Sequence, residues 1–117
     1  MNQLKPEYVI ADHIRAACFI IVDGVKPSGK QRGYVLRKLI RRSLSNCLKL
    51  KIDISKPEFF QELVVSVISI YEGVYPEIQE NQELIFNIFE KEAQKYLRAI
   101  KTGEKEWNKF FKQAGIV

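Results

Sequence analysis

Residues 34–48 read YVLRKLIRRSLSNCL, and the spacing of their apolar side chains decides the fold class. These side chains recur mostly at intervals of three and four residues, the period of an α-helix with one buried face. They are Leu36, Leu39, Ile40, Leu44 and Cys47. Because consecutive residues turn by about 100° around a helix, the cations of the same stretch fall on the opposite face. The stretch therefore predicts an amphipathic helix over Tyr34–Leu48 with a basic outer face.

Helical periods continue on both sides of this stretch. Upstream, a helix is predicted to begin near Pro6 and to end at Asp23-Gly24, which are typical start and stop signals. Its inward residues are Ile10, Ile14, Ala17, Cys18 and Ile21. Downstream, Pro57 opens a third helix that continues to Tyr71. Its inward residues are Phe60, Leu63, Val64, Val67, Ile68 and Tyr71.

The last part of the sequence predicts one long and one short helix. After a break at residues 73–76, a long helix is expected over residues 77–100, with an acidic, solvated face over residues 77–92. Its inward residues are Leu84, Ile85, Ile88, Phe89, Tyr96 and Leu97. Thr102-Gly103 predicts a second break, followed by a short amphipathic piece. Its aromatic residues, Trp107, Phe110 and Phe111, are expected to pack on the fourth helix, and the alternative is an exposed docking patch.

Together these patterns predict an all-α protein with about five helices packed as an irregular bundle and no sheet. The length of 117 residues favours a single helical domain over residues 1–117. Cys18 and Cys47 are expected to be buried free thiols in a reducing compartment. One histidine and two scattered cysteines predict no metal site. No apolar run approaches the roughly 20 residues of a membrane span, so no membrane contact is expected.

Positive charge is concentrated in one segment of the chain. The formal net charge is +5, yet residues 24–51 alone hold nine cations and no acidic residue. A solvated surface usually mixes both signs, so this segment predicts a polyanionic partner such as a nucleic acid. The alternative is that these cations form an ordinary solvent-exposed surface with no ligand. The predicted contact residues are Lys30, Gln31, Arg32, Tyr34, Arg37, Lys38, Arg41 and Arg42.

A loop before the basic helix almost matches a nucleotide-binding motif. Residues 24–31 read GVKPSGKQ, whereas a phosphate-binding loop requires Ser or Thr in place of Gln31. The motif also requires a preceding strand, and residues 19–22 fit the end of a helix better. We therefore interpret residues 24–32 as a flexible basic loop, with no catalytic residue, that reaches toward a ligand.

The segment from Val9 to Leu44 closely resembles alanyl-tRNA synthetases just after their class II catalytic core. The resemblance rests on ADHIR (residues 11–15), DG (23–24), PS (27–28), RGYVLR (32–37) and IRR (40–42). It implies a helical domain that binds the acceptor stem of alanine tRNA, which family members select largely by a G·U wobble pair. Ser28, Gly29 and Gln31 would form the base-reading loop, although Gly29 stands where the family usually has asparagine.

The resemblance also implies what lies outside this chain. The sequence lacks the class II catalytic motifs, so we expect a fragment of a cytoplasmic synthetase that does not activate alanine alone, with an organellar origin as the alternative. ATP, Mg²⁺ and Zn²⁺ are expected for the full-length enzyme, with its catalytic and editing domains as partners. Two alternatives stay open: a basic helical module that binds nucleic acids without regard to sequence, and a helical domain that binds only proteins.

Overall fold

The computed structural model describes residues 5–115, and within this range the chain forms five α-helices and no strand. The helices are α1 (Pro6–Val22), α2 (Gln31–Lys49), α3 (Pro57–Tyr71), α4 (Pro76–Glu80) and α5 (Gln82–Gln113). The prediction of an all-α bundle with about five helices is confirmed. Because residues 19–22 belong to α1, the strand that a phosphate-binding loop requires is absent before residue 24.

The core lies where α1, α2, α3 and α5 meet. α1 packs most extensively on α2, and α3 and the first half of α5 cover the pair. Every residue predicted to face inward from α1 is buried, as are Phe60 of α3 and Phe89 of α5. The rings of Phe60 and Phe89 have centroids 6.1 Å apart, which joins these two helices at the centre of the core. The spacing of apolar residues thus identified most of the core correctly.

Both cysteines are buried in this core, as predicted, and neither forms a disulfide. Burial raises the pKa of the Cys18 thiol to about 12 and that of Cys47 to about 11, because a thiolate is poorly solvated there. None of the helices between residues 5 and 115 combines the length and the apolar composition of a membrane span.

The division of the last helical segment differs from the prediction. The chain breaks at Asn81 and then continues as one helix to Gln113, with no interruption at Thr102-Gly103. A glycine inside a helix costs about 1 kcal/mol relative to alanine, which weakens the helix but does not remove a backbone hydrogen-bond donor as proline would. With 32 residues, α5 is about 48 Å long, and its second half extends past the core.

The packing predicted for the aromatic residues at the end of α5 is wrong. Trp107 and Phe110 are 60% and 57% exposed, so they do not form a core contact. The rings instead contact each other, with the Trp107 ring stacked 5.9 Å from Phe110 and edge-on 4.6 Å from Phe111. Leu84, also expected to point inward, is 41% exposed. The helical period correctly placed the aromatic rings on the same face of α5 as Phe89. The other helices, however, do not extend along α5 as far as these rings, so no other helix of residues 5–115 covers them.

Candidate nucleic-acid interface

The loop between α1 and α2 folds back onto the first turn of α2. Ser28 fixes this shape, because its hydroxyl donates to the carbonyl of Lys30 at 3.1 Å and accepts from the N–H of Lys30 at 3.3 Å. The backbone N–H of Ser28 donates to the carbonyl of Gly33 at 3.1 Å. Ser28 therefore shapes the predicted base-reading loop from within, while Gly29 and Lys30 are exposed at its tip.

Gly33 allows the loop to approach the helix closely. A Cβ atom at this position would lie 2.6 Å from the carbonyl oxygen of Lys26 and would overlap the Ser28 hydroxyl. No residue other than glycine fits without moving the loop. This role was not predicted, although a glycine between Arg32 and Tyr34, at the start of a helix, can indicate a close packing contact.

Gln31 and Arg32, predicted to lie in the loop, instead form the first turn of α2. Gln31 adopts a left-handed backbone with φ of +50°, a conformation that costs a non-glycine residue about 1–2 kcal/mol. Both side chains are exposed. Arg32 contacts the carboxylate of Asp23 at 3.3 Å, but both partners are about two-thirds exposed, so the pair is weak. A phosphate group can compete with Asp23 for this guanidinium.

The outer edge of α2, which we define as Tyr34, Lys38 and Arg42, faces solvent. All three residues are exposed, and the ammonium of Lys38 lies 5.5 Å from the centre of the Tyr34 ring. Among residues 5–115, no carboxylate lies within 4.0 Å of Lys38 or Arg42. This edge offers unpaired cations beside an aromatic ring, the combination that suits a nucleic-acid backbone.

The inner edge of α2, Arg37 and Arg41, has a different environment. Both Nε atoms lie near Oε1 of Glu92 on α5, at 2.8 Å from Arg37 and 3.2 Å from Arg41. The sequence analysis placed these two arginines on the outer face, and the structure corrects this, since their side chains are only 25% and 34% exposed. Glu92, assigned to a solvated acidic face, is 1% exposed. The sequence did contain a sign that Glu92 is buried, because this acid lies between Phe89 and Ala93, which both face the core.

The geometry thus divides the eight predicted contact residues into two groups. Six lie exposed on the loop tip, the first turn and the outer edge, and two hold a buried carboxylate. The exposed group has amide, ammonium and guanidinium donors suited to phosphate oxygens and base edges. Within residues 5–115, no three His, Cys, Asp or Glu side chains come together as a metal-ligand cluster. The exposed group therefore forms a surface rich in hydrogen-bond donors and positive charge.

Comparison with known proteins adds an independent observation. The profile of the family described as "tRNA synthetases class II (A)" matches residues 2–115. The chain is 42% identical over 95 residues to an alanine–tRNA ligase of Psychrobacter cryohalolentis, covering 81% of this chain and 10% of that protein. It is 42% identical over 101 residues to an alanine–tRNA ligase of Mesoplasma florum, covering 86% of this chain and 11% of that protein. The chain therefore spans about a tenth of the length of these relatives.

Proposed function

The chain belongs to the alanyl-tRNA synthetase family of class II enzymes, and from this premise we propose that it binds the acceptor stem of alanine tRNA. In this proposal residues 1–117 form one helical domain of an alanine–tRNA ligase. The domain holds the end of the tRNA while the rest of the enzyme attaches alanine. The observation that carries the proposal is the exposed outer edge of α2, whose cations have no acidic partner among the described residues.

The acceptor stem fits this edge for electrostatic reasons. Lys38 and Arg42 lie one helical turn apart and can each neutralise a backbone phosphate. Tyr34 lies beside Lys38 and can donate a hydrogen bond to a phosphate or ribose oxygen. We assign Arg37 and Arg41 a positioning role, because their guanidinium groups hold Glu92 and fix α2 against α5.

The loop tip is the proposed reader of the G·U wobble pair. Gly29 has no side chain to offer and Ser28 is engaged with Lys30, so the exposed amide of Gln31 is the group available for base edges. The left-handed backbone at Gln31 supports this role, because unfavourable conformations persist where the surrounding structure imposes them and are concentrated at functional sites.

The chemistry of aminoacylation belongs, in this proposal, to parts of the enzyme outside this chain. We assign ATP, Mg²⁺ and Zn²⁺ to those parts, since the residues between 5 and 115 offer neither a phosphate-binding loop nor a metal-ligand cluster. The reaction of the whole ligase makes the cytoplasm its expected location, with an organellar origin as the alternative. This chain alone is expected to bind RNA without activating alanine.

The projecting end of α5 is proposed to contact the catalytic or editing domain of the same enzyme. Trp107 and Phe110 continue the apolar stripe of α5 beyond the point where the core ends. Exposed aromatic residues grouped in this way are typical of protein contacts. The relatives are about ten times longer than the matched segment, so they contain enough further chain to cover this patch.

Binding of short RNA duplexes tests the proposed function. Two acceptor-stem duplexes, one with G·U at the third pair and one with G·C, are titrated with the chain at several salt concentrations. We expect binding that weakens with salt and favours G·U. Lys38→Ala and Arg42→Ala should each reduce the salt slope by about 0.7–0.9, the contribution of one phosphate contact. Gln31→Ala should reduce the preference for G·U and leave the slope unchanged.

The control for these variants is Lys56→Gln, which removes an exposed cation between α2 and α3. It should leave both the affinity and the salt slope unchanged. Equal binding of G·U and G·C duplexes, with the slope retained, would favour the sequence-tolerant nucleic-acid module instead. Absence of salt-dependent RNA binding would overturn the proposal and favour the protein-binding domain.

A further inference from the structure

The solvent-facing side of α5 carries a basic stripe that is separate from α2. With about 100° of rotation per residue, six exposed cations of α5 fall within an arc of about 100°, on the side opposite Phe89 and Ala93. They are Lys91, Lys95, Arg98, Lys105, Lys109 and Lys112. No acidic residue of α5 falls inside this arc, because the glutamates of the helix lie at its margins or on other faces. The stripe has one sign along its whole length.

The spacing within the stripe works against helix stability. Lys91 and Lys95 are four residues apart, as are Lys105 and Lys109, and like charges at this spacing repel on the helix surface. None of these four residues lies within ion-pair distance of a carboxylate in residues 5–115. A polyanionic ligand would relieve the repulsion. The spacing of these lysines therefore suits the binding of a polyanion better than it suits the stability of the helix.

At its N-terminal end the stripe borders a groove between α5 and the loop that precedes α2. The groove has a volume of about 260 Å³, and its walls include Lys26 of the loop and Asn87, Lys91 and Lys95 of α5. Asn87, Lys91 and Lys95 follow one another at intervals of four residues, so they line up along one side of the groove. Three lysines and one asparagine from two chain segments thus line a space large enough for a phosphate group, beside the apolar side chains of Leu84 and Ile88.

Among residues 5–115, a single acidic residue lines the groove, and it does not neutralise the lysines. Glu92 borders the groove, but its carboxylate is buried and already accepts hydrogen bonds from Arg37 and Arg41. The two guanidinium groups that bind this carboxylate more than balance its charge, and the three lysines that line the groove add further positive charge. The groove is therefore electropositive despite containing a glutamate.

We propose that this groove binds a backbone phosphate of the RNA, with Lys26, Lys91 and Lys95 as donors. This inference rests on the proposed function and adds a second contact region for the same ligand. The rest of the stripe continues from the groove for about 26 Å, from Lys95 to Lys112 at 1.5 Å per residue. The loop before α2 then lies between two basic surfaces, the outer edge of α2 and the stripe of α5. Contacts to the backbone alone give affinity without sequence preference.

The double variant Lys91→Gln/Lys95→Gln tests this inference with the same two duplexes. Because the two lysines contact the same phosphate in this proposal, we expect the salt slope to fall by about 0.7–0.9, the contribution of one phosphate contact, with the G·U to G·C affinity ratio unchanged. The matched control Lys5→Gln/Lys56→Gln removes the same charge from exposed positions outside the groove and the stripe. Thermal unfolding of each variant verifies that the helices are intact.

The outcomes separate this inference from the proposed function. If Lys38→Ala and Arg42→Ala reduce the slope while Lys91→Gln/Lys95→Gln does not, the groove is not a phosphate site and the proposed function stands. An equal loss of slope in the Lys5→Gln/Lys56→Gln control would also overturn the inference, since total charge would then explain the effect. If the unmodified chain binds neither duplex, both proposals fail.

Discussion

The inner and outer edges of α2 differ little in sequence and greatly in environment. Arg37 and Lys38 are neighbours, as are Arg41 and Arg42, yet the first of each pair contacts a buried carboxylate and the second faces solvent. A rotation of about 100° separates the members of each pair. A cluster of cations in a sequence therefore does not show which of them are free to bind a ligand.

The inner edge stabilises the fold because its two arginines bind the buried carboxylate of Glu92. A buried carboxylate is tolerated where charged partners surround it, and here one oxygen accepts from two guanidinium groups. On the outer edge, solvent screens each cation, and no carboxylate of residues 5–115 lies within ion-pair distance of it. Substitutions on the inner edge should therefore change stability, and substitutions on the outer edge should change binding.

Removal of the buried carboxylate should have the largest effect. In Glu92→Gln, both arginines lose their charged partner at the junction of α2 and α5, and we expect the free energy of unfolding to fall by about 3 kcal/mol. Urea denaturation followed by circular dichroism measures this change. The control Glu90→Gln, at an exposed position two residues earlier, should change stability by less than about 0.5 kcal/mol. Equal effects of the two variants would mean that the inner edge does not stabilise the fold.

Adding a methyl group to Gly33, where the loop contacts α2, should have the next largest effect on stability. Gly33→Ala pushes the loop away from α2, and we expect it to lower the free energy of unfolding by about 2 kcal/mol. Gly29→Ala is the matched control, because a Cβ atom there meets no atom within 4 Å. Chemical denaturation of both variants makes the comparison. Unchanged stability of Gly33→Ala would show that the loop can move without cost.

Arginine substitutions on the two edges provide the most direct comparison, with a smaller expected effect. Arg41→Ala leaves Glu92 with one partner and should lower the free energy of unfolding by about 1.5 kcal/mol. Arg42→Ala, one residue away, should change it by less than about 0.5 kcal/mol and should instead weaken RNA binding. Denaturation and duplex titration on the same samples separate the two effects. The comparison would fail if Arg42→Ala were the more destabilising variant.

The two halves of α5 show where sequence reasoning succeeded and where it failed. In the first half, the helical period identified Ile85 and Phe89 as core residues, and both are buried. In the second half, the same period predicted core packing for Trp107, which is exposed. Periodicity assigns a residue to a face of a helix, but it does not show how far the neighbouring helices extend. The predicted break at Gly103 failed because one glycine weakens a helix without ending it.

The spacing of apolar residues within each helix was enough to predict the fold class, the first three helices and most of the core. The sequence also indicated the family and the segment with excess positive charge. The packing of the helices was needed to show that Arg37 and Arg41 meet a glutamate more than fifty residues away. It was also needed to show that Gly33 lies against the loop, and that Lys26 lines the same groove as Lys91 and Lys95. Contacts between distant segments depend on how helices pack, so a local pattern can mark a buried or closely approached position without showing which residue it meets.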